Sequence, residues 1–215
     1  MSPLASLPAP VLRASGTALL VVDMQFFDAH PGYGMGSMAE PGEMAEYFEQ
    51  VAEIVPRIRR LQDGARRHGI PVLHTHLCSR APDGADLCRS HRLRGWRYVA
   101  GSKEAEFLPE VAPLAGEVVV EKTTSGAFGS GNLAEELGRI GAERLVVCGV
   151  DTRYCVETTV RDASDRSYDV VLVGDACASK TRELHEQGLR VLDRSYCTVW
   201  PTERVLAEIE AHAGG

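Results

Sequence analysis

Short apolar runs rich in valine and leucine alternate along this chain with segments whose apolar residues recur at helical spacing. The runs predict six strands, at residues 18–22, 71–76, 117–121, 144–150, 169–173 and 195–199. The other segments predict helices at residues 43–68, 132–140, 155–166, 182–193 and 202–211. Strands separated by helices form βαβ crossovers, which need parallel strands covered on both faces. We therefore expect a single-domain, three-layer α/β/α fold around a mostly parallel six-stranded sheet.

The length of the chain suits one domain. Its 215 residues, of which 44% are hydrophobic and 25% charged, can bury one full core. We expect the folded domain to occupy residues 17–215 and residues 1–16, which include three prolines, to form a flexible N-terminal arm. The arm lacks the basic start of a signal peptide, and no apolar run approaches the ~20 residues that cross a bilayer.

The net charge limits the kinds of partner that we expect, and the cysteines indicate the cellular compartment. The formal net charge of −7 disfavours a surface for nucleic acid or for anionic membranes. None of the six cysteines belongs to a C-x-x-C pair, and Cys148 and Cys197 lie inside predicted strands. A chain of this size does not need disulfides for stability. We expect reduced thiols and a cytoplasmic protein.

Cys155 lies where a predicted strand gives way to a predicted helix. The apolar run at residues 145–150 ends at a turn, and Val156, Val160 and Ala163 then recur at helical spacing. A thiol at a helix start faces unpaired N–H groups and the positive end of the helix dipole, which stabilise the thiolate nucleophile. A reactive cysteine and an inert packed cysteine both fit this position.

Two further ionisable residues are predicted at the same edge of the sheet. Asp23 follows the first predicted strand and Lys122 follows the third, while Cys155 comes just beyond the fourth. Ligands of doubly wound sheets bind beyond the carboxyl ends of the strands. Singly, Asp23 could be a cap and Lys122 a solvated strand end. Their agreement at one edge favours a functional site, which the irregular segment at residues 78–102 could cover as a long loop.

These three residue types suit acyl transfer. An aspartate can take the thiol proton and return it to a leaving amine, and a lysine can hold both anionic partners in place. Backbone N–H groups around Cys155 could bind the oxyanion. The trio therefore predicts hydrolysis of a C–N bond in a small amide or ureide through a thioester.

Four motifs resemble those of the isochorismatase-like cysteine hydrolases. They occur in order, at residues 20–25 (LVVDMQ), 122–133 (KTTSGAF, then NL), 149–163 (GVDTRYCVETTVRDA) and 175–176 (DA). Together they span roughly residues 17–205. The resemblance implies a Rossmann-type fold and an Asp–Lys–Cys triad, which maps onto Asp23, Lys122 and Cys155.

The resemblance also implies further site features. A non-proline cis peptide would join Val150 to Asp151, and the oxyanion hole would comprise Val150, Asp151 and Cys155. Phe128 would line the substrate pocket. Arg153 and Tyr154, beside the nucleophile, could contact substrate, cap the turn or meet a neighbouring subunit. A homodimer or homotetramer is expected from the resemblance alone.

Differences from other branches of the resembled family limit the class of substrate that we expect. Relatives that hydrolyse the vinyl ether of isochorismate commonly lack the cysteine, so Cys155 favours amide chemistry. Nicotinamidases usually carry an Asp-x-His and a second histidine as a metal site, whereas this chain offers only His74 and His76 in the comparable region. We therefore predict an enzyme without metal or cofactor, with nicotinamidase and isochorismatase-type hydrolase as alternatives. Residues 79–87 (SRAPDGADL) resemble the biuret and ureide hydrolases, which indicates an N-carbamoyl or biuret-like substrate.

A nicotinamide-dinucleotide-binding protein is the distant alternative. Residues 129–134 (GSGNLA) match G-x-G-x-x-A, and Asp151 ends the next predicted strand at the spacing of a ribose-binding acid. The fingerprint needs its glycine turn directly at a strand end, but several residues separate Lys122 from Gly129.

Overall fold

The computed structural model of the chain describes residues 10–212. In this part of the chain six strands form one sheet with the order β3-β2-β1-β4-β5-β6. They are β1 (Thr17–Val22), β2 (Val72–Leu77), β3 (Val118–Lys122), β4 (Arg144–Val150), β5 (Asp169–Ala178) and β6 (Thr198–Trp200). Every neighbouring pair is parallel. The expected parallel α/β/α fold is confirmed.

Helices connect and cover the strands. They are α1 (Phe26–Ala29), α2 (Gly34–Met38), α3 (Ala45–Arg67), α4 (Arg89–Leu93), α5 (Ala127–Ser130), α6 (Leu133–Arg139), α7 (Glu157–Asp165), α8 (Arg182–Leu192) and α9 (Thr202–Ala211). Helix α3 contacts β5 and α9, while α5 contacts β3 and α7. Within residues 10–212, every helix is too short or too polar to cross a lipid bilayer.

The sheet lies in the centre because its strands are apolar on both faces. All residues of β1 and β2 are buried, which is the pattern of parallel strands between two helical layers. The strand order runs one way from β1 to β3 and the other way from β4 to β6. The carboxyl ends of β1 and β4 therefore meet at the switch point, where ligands of such sheets bind.

Several predicted elements differ from those observed. Strand β5 continues to Ala178, five residues beyond its predicted end, and β6 begins at Thr198 rather than at residue 195. The predicted helix at residues 155–166 consists of a π-helical turn (Thr152–Val156) followed by α7. The predicted long loop at residues 78–102 contains α4.

The predicted N-terminal arm falls partly outside the described residues. Residues 1–9 are not among them, and the division at residue 17 stays a prediction. Leu12 is fully buried in the core, so at least this part of residues 10–16 packs against the domain.

Candidate active site

The structure brings Asp23, Lys122 and Cys155 together at the carboxyl edge of the sheet. Asp23 directly follows β1, Lys122 is the last residue of β3, and Cys155 lies in the π-helical turn after β4. Their exposed fractions are 0%, 1% and 5%. Three ionisable groups share a site that is almost closed to water.

Asp23 and Lys122 form a buried ion pair. Lys122 Nζ lies 2.7 Å from Asp23 Oδ2, and Thr75 Oγ1 donates to Asp23 Oδ1 at 2.8 Å. Lys122 Nζ also donates to the carbonyl oxygens of Thr124 (3.1 Å) and Ser125 (2.9 Å). The ammonium group is thus held by two carbonyl oxygens and the charge of Asp23. Burial lowers the pKa of Lys122, but the negative charge of Asp23 outweighs this effect and raises the pKa above its ordinary value.

The Cys155 thiol is protonated in the resting site. Burial raises its pKa well above the ordinary value, and the negative charge of Asp23 raises it further, while Lys122 lowers it. This corrects the expectation that the helix start stabilises the thiolate, because the loss of hydration dominates in a closed site. The thiol therefore needs a base when it attacks, and Asp23 is the carboxylate beside it.

A close approach between β1 and β4 positions the nucleophile. Gly149 has a φ of +116°, and a Cβ built on it would lie 2.1 Å from the carbonyl oxygen of Val22. Only glycine fits such a backbone approach. The approach lets the turn that carries Cys155 lie next to Asp23, whose own φ is +52°.

The turn before Cys155 contains the cis peptide bond between Val150 and Asp151 that the resemblance implies. The Asp151 side chain accepts from Arg153 N (2.8 Å) and from Ser179 Oγ (2.7 Å). Burial raises the pKa of Asp151 to about 6, although these hydrogen bonds lower it. The Asp151 side chain thus stabilises the turn through these two hydrogen bonds.

Two backbone N–H groups of this turn already donate hydrogen bonds within the turn. The N–H groups of Tyr154 and Val156 donate to the carbonyl oxygen of Asp151, at 3.0 and 3.1 Å. These two groups are therefore not free to bind an oxyanion. The role of Val150, Asp151 and Cys155 in the oxyanion hole stays a prediction.

The roles of Phe128, Arg153 and Tyr154 in substrate binding stay predictions. Phe128 packs on Tyr168, with ring centroids 6.1 Å apart, and under Arg166 at 5.0 Å. Both partners lie in the connection that leads into the amino end of β5, so the ring points away from the carboxyl edge. Arg153 and Tyr154 lie in the π-helical turn that carries Cys155 and are exposed, Tyr154 by 52%.

Sequence reasoning missed Asp28 in α1. The residue is 6% exposed, and burial together with the charge of Asp23 raises the pKa of its carboxyl well above the ordinary value. Its Oδ2 atom has no hydrogen-bond partner among the described residues. A charged residue inside the apolar run Phe26–Ala29 was the available signal. Asp28 is therefore a buried carboxyl group, electrostatically coupled to Asp23 and Lys122, whose charged form is disfavoured by burial.

The segment at residues 78–102 packs over this region. Tyr98 is fully buried against Phe27, and the His91 ring contacts both the Tyr98 hydroxyl and Ser125 Oγ. Burial, and then the positive charge of Lys122, lower the pKa of His91 to about 4. The segment thus contributes a neutral imidazole next to the loop that holds Lys122.

The dinucleotide fingerprint does not form. Gly129 lies inside α5, and residues 123–126 separate that helix from β3. The glycine turn therefore does not start at a strand end, where the pyrophosphate would need it.

Comparison with known proteins identifies the family. The isochorismatase domain family matches residues 17–204. The chain belongs to the isochorismatase family of hydrolases. Nicotinamidase 3 of Arabidopsis thaliana is 31% identical to it over 174 residues, which cover 80% of this chain and 78% of that protein. Maleamate amidohydrolase of Pseudomonas putida is 27% identical over 201 residues, which cover 92% and 88%.

Solved structures agree with this assignment. A cysteine hydrolase from Pseudomonas syringae pv. phaseolicola matches this isochorismatase-family chain with a TM-score of 0.85 and 25% identity, over 99% of this chain and 100% of that one. N-carbamoylsarcosine amidase from Thermoplasma acidophilum matches with a TM-score of 0.68 and 28% identity, over 87% and 96%. The resemblance drawn from the four motifs is confirmed.

Proposed function

We propose that this isochorismatase-family hydrolase is a cysteine-dependent amidohydrolase, which cleaves a C–N bond of a small amide or ureide through a thioester. One observation carries the proposal. The buried Asp23–Lys122 ion pair, with 2.7 Å between Oδ2 and Nζ, adjoins the buried thiol of Cys155. A base, a cation and a nucleophile in a dry site are the parts that acyl transfer needs.

Acylation begins with the neutral thiol. Asp23 takes the proton of Cys155 as Sγ attacks the substrate carbonyl carbon and a tetrahedral oxyanion forms. The protonated Asp23 then gives the proton to the leaving nitrogen, the C–N bond breaks, and an amine or ammonia departs. The acyl group remains on Sγ as a thioester.

Deacylation repeats these steps with water. Asp23 takes a proton from a water molecule, the resulting oxygen nucleophile attacks the thioester, and the C–S bond breaks as the proton returns to sulfur. In the resting site Lys122 is charged, because Asp23 raises its pKa. It keeps Asp23 oriented and offsets the negative charge that forms next to that carboxylate. No cofactor takes part.

The names of the relatives suggest the leaving group. Nicotinamide, maleamate and N-carbamoylsarcosine, named in three of the matched proteins, each carry a terminal CO–NH₂ group. We therefore propose that this chain releases ammonia. Residues 79–87 favour an N-carbamoyl or biuret-like ureide, and nicotinamide is the alternative. An isochorismatase-type vinyl ether is a further alternative, which Cys155 disfavours.

The test is ammonia release from a panel of primary amides and ureides by the wild type and by Cys155→Ala. We expect at least one substrate to be turned over by the wild type alone. Equal ammonia release by the two proteins would refute the cysteine mechanism. Release of a nitrogen-free product from a vinyl ether, with no ammonia from any amide, would favour the isochorismatase-type alternative.

Compartment and assembly complete the proposal. Each of the six cysteines is a free thiol, which suits a cytoplasmic protein. We propose a homodimer or homotetramer in which Tyr154, exposed by 52% in the single chain, is available to a second subunit. Light scattering that gives the mass of one chain at micromolar concentration would contradict this.

A further inference from the structure

Three potential metal ligands converge beside β2 and β3. One ligand atom from each of His76, Cys78 and Glu121 can be chosen so that all three lie within 4.8 Å of one another. His76 is on β2, Cys78 directly follows that strand, and Glu121 is on β3. Nitrogen, sulfur and carboxylate oxygen are the donors that Zn²⁺ takes in proteins.

The cluster lies on the face of the sheet opposite to Lys122. His76 pairs with Glu121 across the two strands, and Leu77 pairs with Lys122. Side chains alternate between faces along a strand, so His76, Cys78 and Glu121 share one face and Lys122 points to the other. The cluster is therefore separate from the catalytic triad.

The hydrogen bonding of the His76 ring leaves the lone pair of Nε2 available to a metal ion. Its Nδ1 lies 2.8 Å from the carbonyl oxygen of Ala105, which can only accept, so Nδ1 carries the proton. The Nε2 atom is then an acceptor, and it is buried with no hydrogen-bond partner among the described residues. The ring is 9% exposed and stacks on Phe107, with centroids 4.9 Å apart. Zinc-bound histidines are held in this way, by a backbone carbonyl on the other ring nitrogen.

The other two ligands can reach the same point. Cys78 is 3% exposed, and its N–H donates to the carbonyl oxygen of Lys122 at 2.9 Å, which fixes the end of β2 against β3. Glu121 uses one oxygen, Oε2, for both hydrogen bonds from Arg80, at 2.9 and 2.7 Å. The Arg80 side chain is 80% exposed, so this ion pair is weak and leaves Glu121 free to turn.

We infer that His76 Nε2, Cys78 Sγ and a carboxylate oxygen of Glu121 bind a divalent zinc-type cation. On binding, the S–H proton of Cys78 passes to solvent and an S–metal bond forms, so one proton is released for each metal ion. Three protein ligands leave a fourth tetrahedral position for water. Cys78 and Glu121 border a cavity of about 620 Å³ through which water and the ion can arrive.

Cobalt titration of the metal-free full-length protein tests the site. Co²⁺ replaces Zn²⁺ and gives a thiolate-to-cobalt charge-transfer absorption when a cysteine is a ligand. We expect this absorption in the wild type, its loss in Cys78→Ser, and a weakening of binding by at least about 10–100-fold in Glu121→Gln. Cys88→Ser is the matched control, since Cys88 is outside the cluster, and it should bind as the wild type does.

A second control separates this site from the catalytic thiol. Cys155→Ser should keep the absorption, because Cys155 is not a ligand. The inference is overturned if the absorption survives in Cys78→Ser or disappears in Cys155→Ser. Thermal unfolding gives an independent reading, in which Zn²⁺ should raise the Tm of the wild type but not of Cys78→Ser. An unchanged wild-type Tm at saturating Zn²⁺ would equally overturn it.

Discussion

Replacing Lys122 by methionine removes the cation and keeps the length of the side chain. In the variant Asp23, which is 0% exposed, would lack the ammonium group that now lies 2.7 Å away. Breaking a buried ion pair in this way costs about 3–5 kcal/mol. The carbonyl oxygens of Thr124 and Ser125 also lose a donor. We therefore expect the free energy of unfolding to fall by at least about 3 kcal/mol, which leaves a folded protein if the wild type has the usual ~5–15 kcal/mol.

Urea unfolding followed by circular dichroism measures this loss, with linear extrapolation to water. Arg60→Met is the matched control. It breaks the Arg60–Glu203 pair, which is as short at 2.6 Å but whose side chains are 53% and 71% exposed, and it should cost no more than about 1 kcal/mol. The double variant Asp23→Asn/Lys122→Met removes both charges. Its loss of unfolding free energy should be smaller than the sum of the losses of the two single variants. If Lys122→Met loses no more unfolding free energy than Arg60→Met does, the buried charged pair at the centre of the site does not exist.

Three further predictions concern the scaffold, the pH and metals. Gly149→Ala should unfold the protein or lower the free energy of unfolding by more than about 4 kcal/mol, because the new Cβ would collide with the Val22 carbonyl. Gly138→Ala is the control: it has open space around it, so urea unfolding should show no change or a stabilisation of up to ~1 kcal/mol. His91 has a pKa of about 4 in the fold and 6.5 ordinarily, so the unfolded chain binds more protons between these values, and wild-type stability falls as the pH falls through this window. His91→Gln should lack this loss, and parallel stability curves for the two proteins between pH 6.5 and 4 would contradict it. EDTA should leave the hydrolysis rate unchanged in a steady-state assay, and a rate that EDTA removes and Zn²⁺ restores would overturn the metal-free chemistry.

Local pattern was sufficient for most of the fold. The Val- and Leu-rich run at residues 144–150 became β4 with the predicted bounds, because a continuous apolar run between turns suits a strand buried on both faces. The end of β5 was missed since residues 174–178 include Gly174 and Asp175 and lack the β-branched residues that mark a strand. That end is held by pairing with β4 across a register shift, which local composition does not reveal.

The candidate site was predictable in position and less so in chemistry. Asp23, Lys122 and Cys155 each follow or end a strand, and parallel strands bring their carboxyl ends together, so their convergence followed from topology. The protonated state of Cys155 depends on burial by distant segments, which the sequence around the thiol does not contain. The direction of the Phe128 ring likewise depends on contacts with residues about forty positions away.

The central claim is that the acyl group passes through Cys155, and intact mass spectrometry of the acid-quenched enzyme measures this directly. With an amide or ureide that the wild type turns over, rapid quenching should give a protein heavier by the acyl group, and peptide mapping should locate it on Cys155. Asp23→Asn should show no adduct, because the neutral thiol then has no base. An acyl group on another residue, or turnover at the wild-type rate by Cys155→Ala, would contradict the mechanism.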